Sequence, residues 1–122
     1  MIGIGVDVVE IERFRRSLER TPTLRDRIFT AAELEWLATR FDPVPSLAVR
    51  FAAREAAMKS LGLGLGAFGF HDVSITVDPD TYAPSLVVVD RAAEIAAERG
   101  VVAWHVSLTH SELVAIAYVV AE

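Results

Sequence analysis

The chain has 122 residues, 52% hydrophobic and 24% charged, a balance typical of a globular protein, so we expect a single domain over residues 1–122. The absence of cysteine excludes disulfides, thiolate metal ligands and a thiol nucleophile. Because no apolar stretch approaches the roughly 18 residues of a membrane span, and the amino end lacks a signal peptide's basic region and cleavage site, we expect a cytoplasmic protein without membrane contact.

The apolar opening, residues 1–9, predicts a buried strand that contains one acidic residue, Asp7. An ionised carboxylate is costly to desolvate without a partner. We therefore expect Asp7 to meet a cation, a cluster of backbone amides or a metal ion.

A basic helix is predicted to follow, with Ile11, Phe14 and Leu18 as its apolar stripe and an end near residues 21–23. Residues 13–27 hold six arginines and two acidic residues, a net charge of +4, so the rest of the chain must carry −9 to give the total of −5. This asymmetry argues against general nucleic-acid binding and for an acidic partner. The alternative is a solvated helix face with internal pairs such as Glu12 and Arg16.

Two more helices are predicted in the first half. Thr30 stands three residues before Glu33, the spacing of a capping box, so a helix should run to about residue 40. After a stiff connector at 42–46, Ser46 is expected to cap a longer helix that ends near residue 61. Its predicted packing side consists of Leu47, Phe51, Met58 and Leu61.

The second half predicts mainly strands. The glycine-rich residues 62–69 lack the Gly-Lys-Ser/Thr of a phosphate-binding loop and are expected to be a connection. A hairpin is predicted from residues 73–77 and 86–89, then a short helix at 91–99 and strands at 101–108 and 113–120. This order indicates an α+β fold, a mainly antiparallel sheet with helices packed on one face. The last strand has no polar face, so it should be central or lie at a subunit contact.

Asp7, Glu55 and Lys59 are the strongest candidates for chemistry. Glu55 and Lys59 stand four residues apart and so share one helix face. Mg²⁺ that bridges a pyrophosphate takes only one or two protein carboxylates, so Asp7 and Glu55 would suffice as its ligands. Lys59 would then neutralise a phosphate as a point charge, and Arg50 could bind one through two hydrogen bonds. The alternative is a set of structural ion pairs.

His110 is predicted to lie at the turn between the last two strands, where a polar side chain is easily aimed at a ligand. An ordinary surface histidine is the alternative. A serine hydrolase is a poor fit, because no Gly-x-Ser-x-Gly segment exists.

Four motifs together resemble one family. They are Gly-x-Asp at 5–7, Phe-Thr-x-x-Glu at 29–33, Arg-Phe-Ala-x-[Lys/Arg]-Glu-Ala-x-x-Lys at 50–59 and Ser-x-[Ser/Thr]-His at 107–110, with an arginine in the first helix at Arg13. In this order and spacing they resemble the holo-acyl-carrier-protein synthases, the small single-domain class of 4′-phosphopantetheinyl transferases. The resemblance covers essentially the whole chain. One departure is Tyr82-Ala83-Pro84, where the family commonly has Gly-x-Pro.

The resemblance implies the 4′-phosphopantetheinyl transferase fold and a Mg²⁺-dependent transfer of phosphopantetheine from coenzyme A to a serine of an acyl carrier protein, with release of 3′,5′-ADP. By this resemblance Asp7 and Glu55 would bind the metal and act with Lys59 in catalysis. The remaining coenzyme A contacts would come from Arg50, Pro84, His110 and Ser111.

The resemblance also implies two protein contacts. Carrier proteins are strongly acidic, and Arg13, Arg16 and Arg20 recur on one face of the predicted first helix, so this face is expected to dock the carrier. The family's members are trimers with active sites between subunits, and the same is expected here. Two other functions stay open: a non-catalytic module that binds an acidic protein, and a Mg²⁺-dependent nucleotide phosphohydrolase.

Overall fold

The computed structural model describes residues 1–122, which form five strands and five helices. The strands are β1 (Gly3–Glu10), β2 (Val73–Val77), β3 (Pro84–Val88), β4 (Trp104–His110) and β5 (Val114–Ala121). The helices are α1 (Ile11–Arg20), α2 (Leu24–Ile28), α3 (Ala31–Leu37), α4 (Val44–Ser60) and α5 (Asp90–Glu98), and a 3₁₀ turn covers Phe70–Asp72.

The strands form two antiparallel sheets. The larger sheet has the order β1-β5-β4, and the β2-β3 hairpin is a separate sheet of two strands. The predicted α+β class and antiparallel pairing are confirmed, and β5 is central, as its apolar sequence allowed. The prediction of one sheet differs in detail, because β3 packs near β4 without a hydrogen-bonded ladder between them.

Helix α4 crosses the larger sheet and is its main packing partner. It contacts β1 and β5 most extensively, and its alanines at 52, 53, 56 and 57 are fully buried, which permits close approach to the strands. The helix begins at Val44, so the prediction that Ser46 caps it was wrong. Proline suits the first turn of a helix, because the N–H groups of that turn have no acceptor within the helix. One of these groups, the Val44 N–H, donates instead to Asp42 Oδ1 at 3.2 Å.

The opening strand is buried on one side only. Its even-numbered residues face away from α4, with Ile4, Val6 and Val8 about half exposed. The predicted fully buried strand is therefore corrected: a strand that packs a helix on one face leaves the opposite face uncovered in a single chain. No helix combines the length and apolar character required to cross a membrane.

A buried ion pair joins α3 to α4. The Arg54 and Glu33 side chains are 0% and 1% exposed, with Arg54 Nη1 donating to Glu33 Oε2 at 3.1 Å. Glu33 also accepts from the backbone N–H groups of Thr30, which completes the predicted capping box, and of Ile75 in β2. Burial raises the pKa of Glu33, but hydrogen bonding and attraction from Arg54 outweigh it, so the net shift is downward.

Candidate active site

Glycine in β1 brings Asp7 against helix α4. A Cβ added at Gly5 would lie 1.9 Å from the carbonyl oxygen of Ala56, and one at Gly3 would lie 1.8 Å from that of Ser60. Both contacts are with backbone atoms, which cannot swing aside, so any larger residue would push the strand away from the helix. This close approach explains why the motif carries glycine two residues before Asp7.

The lysine of α4 pairs with Asp7 across this contact. Lys59 Nζ donates to Asp7 Oδ1 at 3.2 Å and to the Val6 carbonyl oxygen at 3.0 Å. The Asp7 side chain is 17% exposed and that of Lys59 is 52% exposed, so the pair lies at the edge of the contact between β1 and α4. The charged partner expected for Asp7 is therefore Lys59.

Glu55 lies close enough to Asp7 to be affected by its charge. Burial raises the pKa of Glu55, the negative charge of Asp7 raises it further, and Lys59 opposes both effects. Two carboxylates that repel each other are stabilised by a cation between them. The pair fits Mg²⁺, which fills its octahedron with water and phosphate oxygens, and no cluster of three or more acidic or histidine side chains forms an all-protein site.

Asp7 and Glu55 open onto a pocket of about 550 Å³. Its walls come from β1, α1, α2, α4 and the 3₁₀ turn, and the apolar part of the wall is Val8, Val9, Phe14, Leu24, Ile28, Phe51 and Phe70. Arg13 and Arg27 also line it. A role for Arg27 was not predicted, because helix α2, which carries it, has only five residues, too few for a periodic pattern.

Buried Arg54 holds two parts of this wall. Its Nε donates to the carbonyl oxygen of Phe70 at 2.8 Å, and its guanidinium carbon lies 5.1 Å from the centre of the Phe29 ring, next to Ile28. The sequence motif treats this position as variable Lys or Arg. In the structure, Arg54 donates hydrogen bonds from several guanidinium nitrogens to different acceptors, a role that arginine fills better than lysine.

Arg50 is buried one helical turn before Arg54. Its Nη1 donates to the Ser46 carbonyl oxygen at 3.2 Å, and its Nε is buried without a hydrogen-bond partner. Burial lowers the pKa of Arg50, and the nearby charge of Glu33 opposes the shift. Arg50 does not line the pocket of Asp7 and Glu55.

The other predicted coenzyme A residues lie elsewhere in the chain. His110 and Ser111 are exposed and line a second cleft with Arg15 and Asp42. The Ser111 Oγ accepts from the backbone N–H groups of residues 113 and 114, which shapes the turn between β4 and β5. Pro84 begins strand β3 in the hairpin. Within one chain, these residues and Asp7 therefore do not share a pocket.

The arginine face predicted on the first helix is present on α1. Arg13, Arg16 and Arg20 are exposed, and none of them forms an ion pair. The suggested pair of Glu12 with Arg16 was wrong: Glu12 pairs with Arg15, which also binds Asp42 through two hydrogen bonds. Arg15 is thus held within the protein, whereas the three other arginines of α1 are exposed, with Arg13 at the wall of the pocket.

Comparison with known proteins places the chain in a family. The model of the 4′-phosphopantetheinyl transferase superfamily matches residues 3–119, which include all four motifs. The chain belongs to this superfamily. Relatives named holo-[acyl-carrier-protein] synthase are 49% identical in Streptomyces avermitilis and 47% in Salinispora arenicola, each aligned over 100% of this chain and 98% of the relative.

Solved structures of the superfamily have the same fold. The holo-[acyl-carrier-protein] synthase of Neisseria meningitidis has a TM-score of 0.90 at 32% identity, covering 100% of this chain and 98% of that one. The Helicobacter pylori synthase, solved in complex with coenzyme A, has a TM-score of 0.84 at 27% identity, covering 98% and 99%. The predicted holo-acyl-carrier-protein synthase family and fold are thus confirmed.

Proposed function

We propose that this protein transfers the 4′-phosphopantetheine group of coenzyme A to a serine of an apo-acyl carrier protein, and that the transfer requires Mg²⁺. The observation that carries the proposal is that Asp7 and Glu55 line the same pocket and that Lys59 donates a hydrogen bond to Asp7. Two carboxylates and one ammonium are the side chains that a metal-bound pyrophosphate needs.

The chemistry requires no nucleophile from this chain. The carrier's serine oxygen forms a bond to the β-phosphorus of coenzyme A, the bond from that phosphorus to the bridging oxygen breaks, and 3′,5′-ADP leaves with that oxygen. Bound Mg²⁺ would neutralise charge on the pyrophosphate. Asp7 and Glu55 would hold it, and Lys59 would bind a phosphoryl oxygen. The serine proton would pass to the Glu55 carboxylate or to a metal-bound water, the two acceptors that the proposed site would offer, since no histidine lines the pocket.

Arg50, His110, Ser111 and Pro84 are proposed to bind the nucleotide part of coenzyme A. The unpartnered Nε of buried Arg50 supports this for Arg50, since such a donor is satisfied by an anion. The separation of His110, Ser111 and Pro84 from Asp7 within one chain supports a site completed by a second subunit.

The decisive test is the intact mass of an apo-acyl carrier protein after incubation with this protein, coenzyme A and Mg²⁺. We expect a gain of one phosphopantetheine that EDTA prevents and that a carrier lacking the serine does not show. No gain across several acidic carriers would instead favour a non-catalytic binding module. Turnover of coenzyme A without any carrier would favour a phosphohydrolase.

Charge reversal on α1 should weaken the carrier interaction. The double variant Arg16→Glu with Arg20→Glu places negative charge on the face proposed to meet an acidic carrier, and neither residue lines the pocket of Asp7, so the KM for carrier should rise about tenfold or more. The dissociation constant of coenzyme A should change little, and the KM should become less sensitive to salt. The matched control is Arg91→Glu with Arg99→Glu, which makes the same charge change on exposed residues of and beside α5. Equal losses of carrier and coenzyme A binding would contradict the assignment.

The uncovered face of the larger sheet is proposed as the contact of a trimer. Val6 pairs with Tyr118 in the sheet, and both are about half exposed on this face, beside exposed Ile4 and Val8. An apolar strip of this kind is usually covered by another protein surface. A neighbouring subunit on this face would also bring its own side chains near the pocket.

Ile4→Glu should therefore convert the trimer to a monomer, because it buries a charge in each contact, and the transfer activity should fall with it. Light scattering during gel filtration measures the mass. Val102→Glu is the control, since Val102 is highly exposed outside the strands. A monomeric wild-type protein at working concentration would contradict the proposal.

A further inference from the structure

Lys59 is the cationic partner of Asp7 within this chain. The ammonium lies 3.2 Å from Asp7 Oδ1, and no other cationic side chain pairs with Asp7. The ammonium neutralises the carboxylate that would hold the metal ion, whichever of its two oxygens the metal used. Lys59 and a divalent cation therefore compete for Asp7, because each is stabilised by its negative charge and the two positive charges repel each other.

Coenzyme A would end this competition. The Lys59 side chain is 52% exposed, and its remaining contact is a single backbone carbonyl, that of Val6. A pyrophosphate offers the Lys59 ammonium several charged acceptors, and the flexible four-carbon side chain of lysine lets the ammonium change its position readily. Once Lys59 turns to the phosphate, Asp7 loses its counter-ion and Glu55 loses the positive charge that opposed repulsion by Asp7.

We propose that Lys59 is the counter-ion that keeps divalent metal weakly bound until coenzyme A arrives, and so couples the binding of the two. This inference rests on the proposed metal site at Asp7 and Glu55. The coupling must be reciprocal: whatever factor coenzyme A adds to metal affinity, the metal adds to coenzyme A affinity. Direct attraction between the phosphate and the metal would contribute to the coupling in every variant. The contribution of Lys59 would be lost only in variants that lack its ammonium group.

The first measurement uses Mn²⁺ as a probe for the oxygen-ligand metal site, with free Mn²⁺ followed by electron paramagnetic resonance. In the absence of coenzyme A, Lys59→Met should bind Mn²⁺ about fivefold to tenfold more tightly than the wild type, because a competing positive charge is gone. With saturating coenzyme A, affinity should rise by a smaller factor in the variant than in the wild type. Arg91→Met, which removes an exposed charge on α5, is the control and should leave the Mn²⁺ affinity unchanged.

A second measurement needs no variant, since Lys59 is the only lysine in the chain. Protein labelled with ¹³C at lysine Cε gives one lysine signal. Mg²⁺ alone at saturating concentration should shift this signal as the ammonium leaves Asp7, and coenzyme A alone should shift it to a new position.

Different failures have different meanings. Equal Mn²⁺ affinity in the wild type and Lys59→Met, or a lysine signal that Mg²⁺ leaves unmoved, would overturn the competition while leaving the proposed transfer intact. Absence of Mn²⁺ binding in both proteins, with and without coenzyme A, would overturn the metal site and the inference together.

Discussion

Asp7→Asn should lower the rate of phosphopantetheine transfer by at least about 100-fold, the loss typical when one group that stabilises developing charge is removed. The amide keeps the size of the side chain and an oxygen for Lys59, but it lacks the charge that attracts a metal ion. Asp7→Ala should lose at least as much. The transfer rate at saturating coenzyme A and carrier, measured from 0.1 to 50 times the wild-type Mg²⁺ requirement, would show whether more metal restores activity.

The fold should survive these changes at Asp7. The residue contributes one ion pair with a largely exposed lysine, so thermal unfolding should shift little. Asp80→Ala is the control, because Asp80 is an exposed carboxylate in the β2–β3 turn, outside the pocket. A near-normal rate in Asp7→Ala at low Mg²⁺ would disprove the metal assignment.

Arg54→Met should destabilise the protein by about 3–5 kcal/mol, the usual effect of removing one partner from a buried ion pair. It would leave the Glu33 carboxylate buried without its cation, and it would free the Phe70 carbonyl oxygen that supports the pocket wall. Thermal unfolding at one fixed protein concentration checks this, since the proposed subunit association would also affect the midpoint. The matched control Arg91→Met removes an arginine from an exposed pair and should change stability by less than about 1 kcal/mol.

A double variant separates the pair from its surroundings. The double variant Arg54→Met with Glu33→Leu removes both charges. Its loss of unfolding free energy should therefore be smaller than the sum of the losses in the two single variants. Strict additivity of the two single effects would show that the pair itself contributes no coupling.

The same pair predicts how stability depends on pH. The pKa of Glu33 is lower in the folded protein than the ordinary glutamate value of 4.5, so folding favours the ionised form. Its contribution is complete above about pH 4.5 and is lost as the pH falls through the folded value. Stability of the wild type should therefore fall more steeply below pH 4.5 than that of Glu33→Gln. Parallel curves would contradict the assigned role of Glu33.

Local patterns predicted much of the chain correctly. The capping box at Thr30 and Glu33, the β2–β3 hairpin and the two final strands each depend on neighbours a few residues apart. The boundaries that failed, at Ser46 and at the short helix α2, are places where one proline-rich turn or five residues carry too little periodic signal. The motifs identified the family because they are defined by residue type and by spacing along the sequence, and both can be recognised without knowledge of tertiary contacts.

The sequence by itself therefore determined the α+β class, the family and the residue types available for chemistry: carboxylates at Asp7 and Glu55, the lone lysine and an arginine-rich helix face. Only the tertiary structure decided that Lys59 holds Asp7, that Arg54 is buried against Glu33, and that His110 lies apart from the pocket. The Lys59–Asp7 contact joins residues that are 52 positions apart in the sequence, and the Arg54–Glu33 contact joins residues that are 21 positions apart. These contacts and the close fit of β1 to α4 are not encoded in periodicity along the chain.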